Sequence, residues 1–557
     1  MMLITTIYKS KGSKKDLVNQ RGIFLTQVIC KIWERLIKGR TKSITCKINK
    51  LQVGSTKNKS PADHTFILRS CITRAVYRNC PLYLNFYDFR QCFDKLWLED
   101  SIVSLYKLGL DNEFLSLIYK TNLKANIAVK TPLGISESFT KTSIVKQGSV
   151  TASCLCSAST GEFCDENNNG GMCMGRIYRC LAYVDDVVIM NTNVMDANTS
   201  HDSFCFFADK KKQPLNEKKC FLLPVNCKKT DPLPVQEVNS HQVIVKEKAE
   251  YLGDVFNQKG NYKDLIEDRA RKGTVCTINT MAECSDASMG QYALNSILLL
   301  YKTVFLKTIL FNSETWNNLS KNDISKLNSL QTKYLKWMLH TPRGTCTSFT
   351  LLELGLLPVT NEIDYRKLCF LHHILNLPND DPVREAYEDQ KLYSHEPNWF
   401  NEVCVLLEKY GVAFNEESIK SSSKNKWKDV IHKAITDYAL LSLGSDCSSK
   451  SRTESLTYTA LSLQPYFQNL SPAKARIYFQ LRGGVFDVKC NRSYMYHDTI
   501  CRLCGGDTES VHHVLNECSE IRRSNTHIND IYNLSEEDIP EMLDRIISFK
   551  EQLDKKE

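Results

Sequence analysis

The chain has 557 residues, 42% hydrophobic and 24% charged, an ordinary globular composition that allows several domains and excludes collagen-like, low-complexity and repeat architectures. The most apolar stretch, SILLLYKTVFLKTILF from Ser296, is interrupted by Lys302 and Lys307 and reads as a buried helix, so a membrane-spanning protein is not expected. The formal net charge of +9 is uneven: residues 1–60 hold 14 Lys and Arg against only Asp16 and Glu34, and the remainder sums to about −3.

A concentrated basic end is the electrostatic footprint of a polyanion partner, although a solvated surface or a charged tail gives the same count. Against a disordered tail, these basic residues are interleaved with Ile23, Phe24, Leu25, Val28, Ile29, Ile32, Trp33 and Leu36, as in a folded element with a basic face. The opening MMLITTIYKSKG has no secretory signal h-region. The expected setting is therefore intracellular, nuclear and cytoplasmic, with the 23 cysteines mostly reduced and most of them buried small hydrophobes.

From Leu82 the residues LYLNFY alternate as a strand that delivers Asp88 to its end, ahead of Phe93, Asp94 and a helical pattern through Leu96 and Leu98. Asp88 reads either as a metal-binding carboxylate or as the N-cap of the next helix. Lys146, Gln147 and Gly148 precede a run of small residues to Thr160 at helix-compatible spacing, which either admits another chain closely or packs tightly. DENNNGG (Asp165 to Gly171) reads as a loop. In CLAYVDDVVIM, β-branched and aromatic residues flank Asp185 and Asp186 and put both acids at a hairpin tip. A solvent-facing turn tolerates Asp. Two carboxylates roughly 4 Å apart, however, repel by a few kcal/mol at an intermediate dielectric. A Mg²⁺ ion between them removes that cost.

Further on, Ser320 reads as the N-cap of a helix whose apolar stripe is Leu327, Leu330, Tyr334 and Met338, with Lys326, Lys333 and Lys336 largely off it. SIKSSSKNK (Ser418 to Lys426) reads as a linker, and LSPAKARIYFQLRGG (Leu470 to Gly484) as a basic helix. CRLCGGDTESVHHVLNEC offers Cys501, Cys504, His513 and Cys518, with His512 as the alternative imidazole. Gly505 and Gly506 permit the tight turn of a metal knuckle, Val514 and Leu515 a small core beside it, and the donor set suits tetrahedral Zn²⁺.

Taken in order, the strand ending in Asp88, the Gln147-Gly148 step with its small-residue helix, and Tyr183-Val184-Asp185-Asp186 on a hairpin resemble the palm of reverse transcriptases, most of all the polymerases of non-LTR (LINE-type) retrotransposons. YKSKGSKKDLVNQRGIFLTQVICKIWERLIKGR (Tyr8 to Arg40) is similar to the family's fingers, and LQVGSTKNKSPADHTFILRSCI (Leu51 to Ile72) to the next finger segment. There Gly54-Ser55-Thr56 stands where the family usually has Gly-Phe-Arg, a departure at a template-side basic contact. PLNEKKCFLLP resembles the motif that places Asn216 three residues before Lys219, and KAEYLGDVFNQKG (Lys248 to Gly260) the Tyr-Leu-Gly hairpin that grips the primer. The helix after Ser320 resembles the thumb, whose lysines lie along a template–primer backbone. A Cys-Cys-His-Cys element beyond the thumb also resembles the family.

The resemblance implies an α+β right-hand polymerase with fingers, a palm with an antiparallel sheet and a helical thumb, plus a helical C-terminal region with a small zinc knuckle. The expected divisions are fingers 1–80, palm 81–262, thumb 263–380, a helical connector 381–490, the knuckle 491–525 and an acidic helical tail 526–557. It implies an RNA-directed DNA polymerase of a retrotransposon, a nucleotidyltransferase with two Mg²⁺ ions on Asp88, Asp185 and Asp186 and a structural Zn²⁺ on Cys501, Cys504, His513 and Cys518. Gln147, Gly148, Arg21 and Lys31 are then nucleotide contacts. Lys219 is a proton donor to pyrophosphate, or else a surface lysine. Phe93 lies under the incoming sugar and bars a 2′-hydroxyl, or else is core. The implied partners are an RNA template, a DNA primer or target and deoxynucleoside triphosphates, with no membrane. The alternative is an inactive or truncated relic that only binds nucleic acid. No endonuclease is expected ahead of the fingers or in the forty or so residues after Cys518, in keeping with a truncated copy or one reading frame of a larger element.

Overall fold

The computed structural model describes residues 2–8, 12–16, 19–41, 44, 47–54, 56–131, 134–142, 145–146, 148–166, 180–284, 293–492, 495–521, 528 and 538–556. They fall into two compact units. The first comprises Met1–Leu265, Thr315–Asn318 and Ile374–Glu402; the second comprises Ile266–Glu314, Leu319–His373 and Val403–Glu557.

The first unit begins with β1 (Met2–Tyr8), β2 (Gln20–Leu25), α1 (Val28–Arg40), α2 (Pro61–Tyr77), β3 (Leu82–Asp88), α3 (Cys92–Lys95), α4 (Leu98–Lys107) and α5 (Asn112–Leu123). It continues with β4 (Lys124–Thr131), β5 (Gly134–Ile135), β6 (Phe139–Thr142), α6 (Ala152–Glu166), β7 (Cys180–Tyr183), β8 (Asp186–Asn191), α7 (Val194–Lys210) and β9 (Phe221–Val225). The short strands β10 (Glu237–Val238), β11 (His241–Gln242), β12 (Ile244–Val245), β13 (Lys248–Tyr251) and β14 (Asp254–Asn257) follow, and the helix Pro382–Leu392 also belongs to this unit.

One sheet has the order β2-β1-β4-β5, with β6 also on β4. A second has the order β12-β9-β3-β8-β7. The expected antiparallel palm sheet is antiparallel from β9 to β7, but its edge strand β12 joins β9 in parallel. Contrary to the expected alternation, β3 is buried on both faces as far as Tyr87, and only Asp88 at its end is partly open. Helix α7 covers one face, with the Phe204 ring 4.3 Å from that of Tyr87. On the other face Phe86 stacks on Phe221 at 5.0 Å and packs beside Tyr251. A strand sandwiched this way uses apolar residues at nearly every position.

The small residues of α6 are largely buried and allow close approach. Cys156 Sγ lies 3.1 Å from Cys92 Sγ, and Ser157 Oγ donates to the Gly54 carbonyl at 2.9 Å. Asp165 and Glu166, read as loop, end this helix, while 167–171 lie outside the described residues. Helix α2 starts with Pro61 in its first turn and a capping box between Ser60 and Asp63. Its buried Arg69 pairs with Asp254 at 2.7 Å and so anchors the β13–β14 hairpin. That hairpin turns through Leu252 and Gly253, both at positive φ.

The second unit is helical. Its helix Lys321–Met338 begins at Ser320, whose side chain accepts from the Asp323 amide at 3.2 Å in a capping box, and buries Leu327, Leu330, Tyr334 and Met338. The apolar stretch from Ser296 forms helix Ala293–Leu300, a π-helical turn Tyr301–Phe305 and helix Leu306–Ile309. Tyr301 and Phe305 pack on Tyr334 at 5.4 and 4.6 Å. Ser418–Lys426 is not a linker: it lies in helices Glu416–Ser421 and Lys424–Ser448, broken only at Ser422 and Ser423. Ser423 caps the second helix by accepting from the Lys426 amide, so a serine that composition assigns to a linker starts a helix. Among the described residues every cysteine is a free thiol, and no helix is long and apolar enough to cross a membrane.

Candidate active site

Asp88 ends β3 and Asp186 begins β8, and the register pairs them directly across the two strands. Residues opposed in this way project to the same face with Cβ atoms roughly 5 Å apart, where like charges destabilise the sheet. Asp185 precedes Asp186 in the two-residue loop that joins β7 to β8. Burial and then the Asp88 charge raise the Asp185 carboxyl above its ordinary range, against Lys219 and Arg21, which lower it. Asp186 is pushed up to about 6, by the surrounding protein first and then by Asp185 and Asp88. Its side chain keeps access to solvent at the hairpin tip. The three acids therefore feel one another's charge, which Lys219 only partly neutralises. Their hard oxygen donors fit Mg²⁺.

Lys219 Nζ donates to Asp88 Oδ1 at 2.8 Å, and the Asn216 side chain donates to Asp88 Oδ2 at 3.2 Å. The Asn216 backbone amide also donates to the Asp88 carbonyl at 2.8 Å. Asp88 caps neither helix that follows it, since Gln91 and Trp97 occupy those positions. Arg21 is exposed on β2, its charge felt at Asp185, and Lys31 is half-buried on α1. Phe93 is half-buried in α3 and packs on the main core of the first unit. Gln147 and Ser55 lie outside the described residues. Gly148 is exposed at φ 105°, a conformation side chains rarely adopt. Its loop is pinned to α1: buried Glu34 accepts from the Val150 amide at 2.9 Å and faces Lys146 Nζ at 3.9 Å. Lys146 also donates to the Thr121 carbonyl at 2.9 Å.

The hairpin loop itself is strained. Val184, its first residue, sits at φ 60°, where a β-branched side chain costs about 1–3 kcal/mol and glycine is usual. The side chain of Gln52 brackets it. Gln52 Oε1 accepts from the Val184 amide at 2.8 Å and the Gly54 amide at 3.1 Å. Its Nε2 donates to the Val184 carbonyl at 3.1 Å and to Thr160 Oγ1 at 2.7 Å. The Thr160 hydroxyl in turn lies 3.0 Å from the Val184 carbonyl. Residues 51–53 lie along β7 through the Val53-to-Ala182 and Ala182-to-Leu51 bonds. A Cβ on Gly54 would meet Val184 at 2.5 Å, so a glycine there lets this segment close on the loop. Sequence reasoning included Leu51–Ile72 among the finger segments but singled out neither Gln52, Thr160 nor Glu34. A glutamine two residues before a glycine is a faint signal, and its partner lies 132 positions away.

In the second unit one donor atom from each of Cys501, Cys504, His513 and Cys518 lies within 4.8 Å of the others. Cys504 Sγ is 3.4 Å from His513 Nε2, and a Glu517 carboxylate oxygen lies 3.5 Å from His513 Nδ1. His512 is exposed and turned to Glu517. Gly505 makes the turn at φ 69°. Buried Glu509 ties this segment together, accepting from the backbone amides of Lys489 and Arg502 and from the Arg502 guanidinium at 2.7 Å. Three soft thiols and one imidazole in this geometry fit a tetrahedral metal site.

No protein of curated function matches the sequence. Solved structures of low similarity include telomerase from Candida tropicalis in complex with a TWJ fragment of telomeric RNA, at 12% identity and TM-score 0.35, covering 75% of this chain and 62% of that one. Apo telomerase from Candida tropicalis truncated from its C-terminal domain gives 14% identity and TM-score 0.29 over 43% of this chain and 51% of that one. Telomerase from Candida albicans with a TWJ fragment of telomeric RNA gives 11% and 0.28 over 57% and 54%. The chain thus spans about half the length of the last two. The family described as reverse transcriptase (RNA-dependent DNA polymerase) matches residues 12–255. That span holds Asp88, Asp185 and Asp186 and matches as a reverse-transcriptase domain.

Proposed function

We propose that the chain copies an RNA template into DNA from a primer 3′-hydroxyl, as the polymerase of a non-LTR (LINE-type) retrotransposon. The observation that carries the reading is the pairing of Asp88 with Asp186, beside Asp185, inside a matched reverse-transcriptase domain. Asp88 and Asp185 are the residues to hold two Mg²⁺ ions, with Asp186 completing the set. When bound, such ions activate the primer hydroxyl and stabilise the pyrophosphate leaving group. Lys219 rests on Asp88 and partly neutralises it; released from that contact, its ammonium is the proton donor to the leaving group. Arg21 and Lys31, on the basic N-terminal elements, contact the triphosphate. Gln147, Gly148 and Phe93 border the nucleotide, and the Phe93 ring excludes the 2′-hydroxyl of ribonucleotides by contact.

Template sequence is read by base pairing, and basic groups such as Lys326, Lys333 and Lys336 follow the backbone by charge. The groove beside those last two lysines supports this: Ser329, Thr332, Trp337 and Arg343 also line it. Cys501, Cys504, His513 and Cys518 hold a structural Zn²⁺ that stabilises the C-terminal knuckle. The test is primer extension on an RNA template with deoxynucleotides, with and without Mg²⁺. Mg²⁺-dependent extension lost in Asp185→Asn, with template–primer binding retained, supports the reading. A wild-type chain that binds template–primer and never extends it favours the non-catalytic relic instead.

A further inference from the structure

We infer that Gln52 is a positioning residue for the metal-binding carboxylates: its side-chain amide holds the Val184–Asp185 loop in the strained conformation that places Asp185 beside Asp88. The inference rests on the reading of the three acids as a metal site.

Gln52 is about 1% exposed, and its side chain makes four hydrogen bonds. Two go to the amide and carbonyl of the same residue, Val184. A side-chain amide paired with both polar groups of one residue acts as a strand neighbour would. It fixes the orientation of both peptide planes flanking Val184, including the one that leads into Asp185. Without it, only the β7–β8 pairing and the Thr160 hydroxyl oppose the relaxation of a valine at φ 60°, to which the β region is open at lower energy. Relaxation of that torsion swings Asp185, the next residue, away from Asp88. Thr160 and Gly54 complete the clamp, one as hydrogen-bond partner and one as the small residue that lets residue 52 approach. Strain held by surrounding structure at a functional loop is a known means of pre-organisation. Here the retaining contact comes from a segment far upstream in the sequence.

The test compares wild-type protein with Gln52→Met, which keeps the volume and removes all four bonds, and with Thr160→Val. Mn²⁺ binding is read by electron paramagnetic resonance and extension by Mg²⁺ titration, both at pH 7.5, with a melting curve for each variant. Gln52→Met raises the Mn²⁺ concentration for half-saturation about tenfold, as loss of buried hydrogen bonds of ordinary strength predicts. Thr160→Val raises it less, in the same direction. Adding Val184→Gly to Gln52→Met recovers much of the loss, because glycine holds a positive φ without strain. A purely structural role for Gln52 gives no such recovery.

Wild-type Mn²⁺ affinity in a folded Gln52→Met protein overturns the inference, as does a Val184→Gly double variant no better than Gln52→Met. If Gln52→Met does not fold, Thr160→Val decides, and unchanged affinity there counts against the clamp. Wild-type protein that binds Mn²⁺ but extends no primer sinks the polymerase reading and leaves the positioning role to the Mn²⁺ measurement.

Discussion

Removing one negative charge from the acid cluster should stabilise the metal-free protein and abolish its chemistry. Asp186→Asn keeps the shape and discards the charge. The Asp186 carboxyl rises from 3.8 in the free residue to about 6 in the folded chain. At about 1.4 kcal/mol for each tenfold change in proton affinity, that rise is worth about 3 kcal/mol. Asp186 keeps contact with water, and screening there leaves about 1 kcal/mol. A carboxyl whose folded value is raised favours the folded state while protonated. That advantage is lost as the pH climbs from about 4 through about 6. The asparagine variant should therefore melt about 2 °C above wild type at pH 7.5 without divalent ions, and the gain should vanish at pH 4. Mg²⁺ should raise the wild-type melting temperature at pH 7.5 and raise that of the variant much less, since the stabilisation grows with the logarithm of ligand concentration over Kd and the variant binds more weakly. Scanning fluorimetry at several pH values, with and without Mg²⁺, measures all of this, and primer extension by the variant should be absent. Equal melting of the two proteins at every pH, or an extending variant, would refute the crowded-acid account.

Phe93→Val should retain deoxynucleotide extension and admit ribonucleotides by tens- to a hundred-fold, about 1–3 kcal/mol, if the ring is a gate. If it is only core, both activities and the melting temperature should fall together, and unchanged sugar selectivity in a folded variant would remove it from the site. Metal analysis of the full chain should find one zinc; Cys504→Ser should lose it, while His512→Ala, whose ring lies outside the cluster, should keep it. A metal-free, stably folded wild-type chain would count against the knuckle. Arg69→Ala removes the guanidinium that pairs with buried Asp254 and should cost about 3 kcal/mol in urea unfolding, weakening primer engagement if the β13–β14 hairpin grips the primer.

What the sequence by itself determined was local and chemical. Strand-forming residues bring Asp88 to the end of β3, and the β-branched flanks of Asp185 and Asp186 fold as a hairpin, because β-branched and aromatic runs favour strands over a few residues. Ser320 and the stripe from Leu327 to Met338 were legible for the same reason: caps and helical faces are short-range. The Cys501–Cys518 cluster is contained in 18 positions, so the residues that come together there could be read directly. Composition misled where one side chain decides the matter, as when Ser423 turns a serine-rich stretch into the start of a helix.

Only the tertiary structure decided which acids face one another, since the pairing of Asp88 with Asp186 depends on strand register across nearly a hundred residues. It also decided that β3 is covered on both faces, that Lys219 rests on Asp88, and that Glu34 and Gln52 hold loops far away in sequence. A buried polar side chain is placed by the partners that satisfy it, and those partners come together only when the chain has folded.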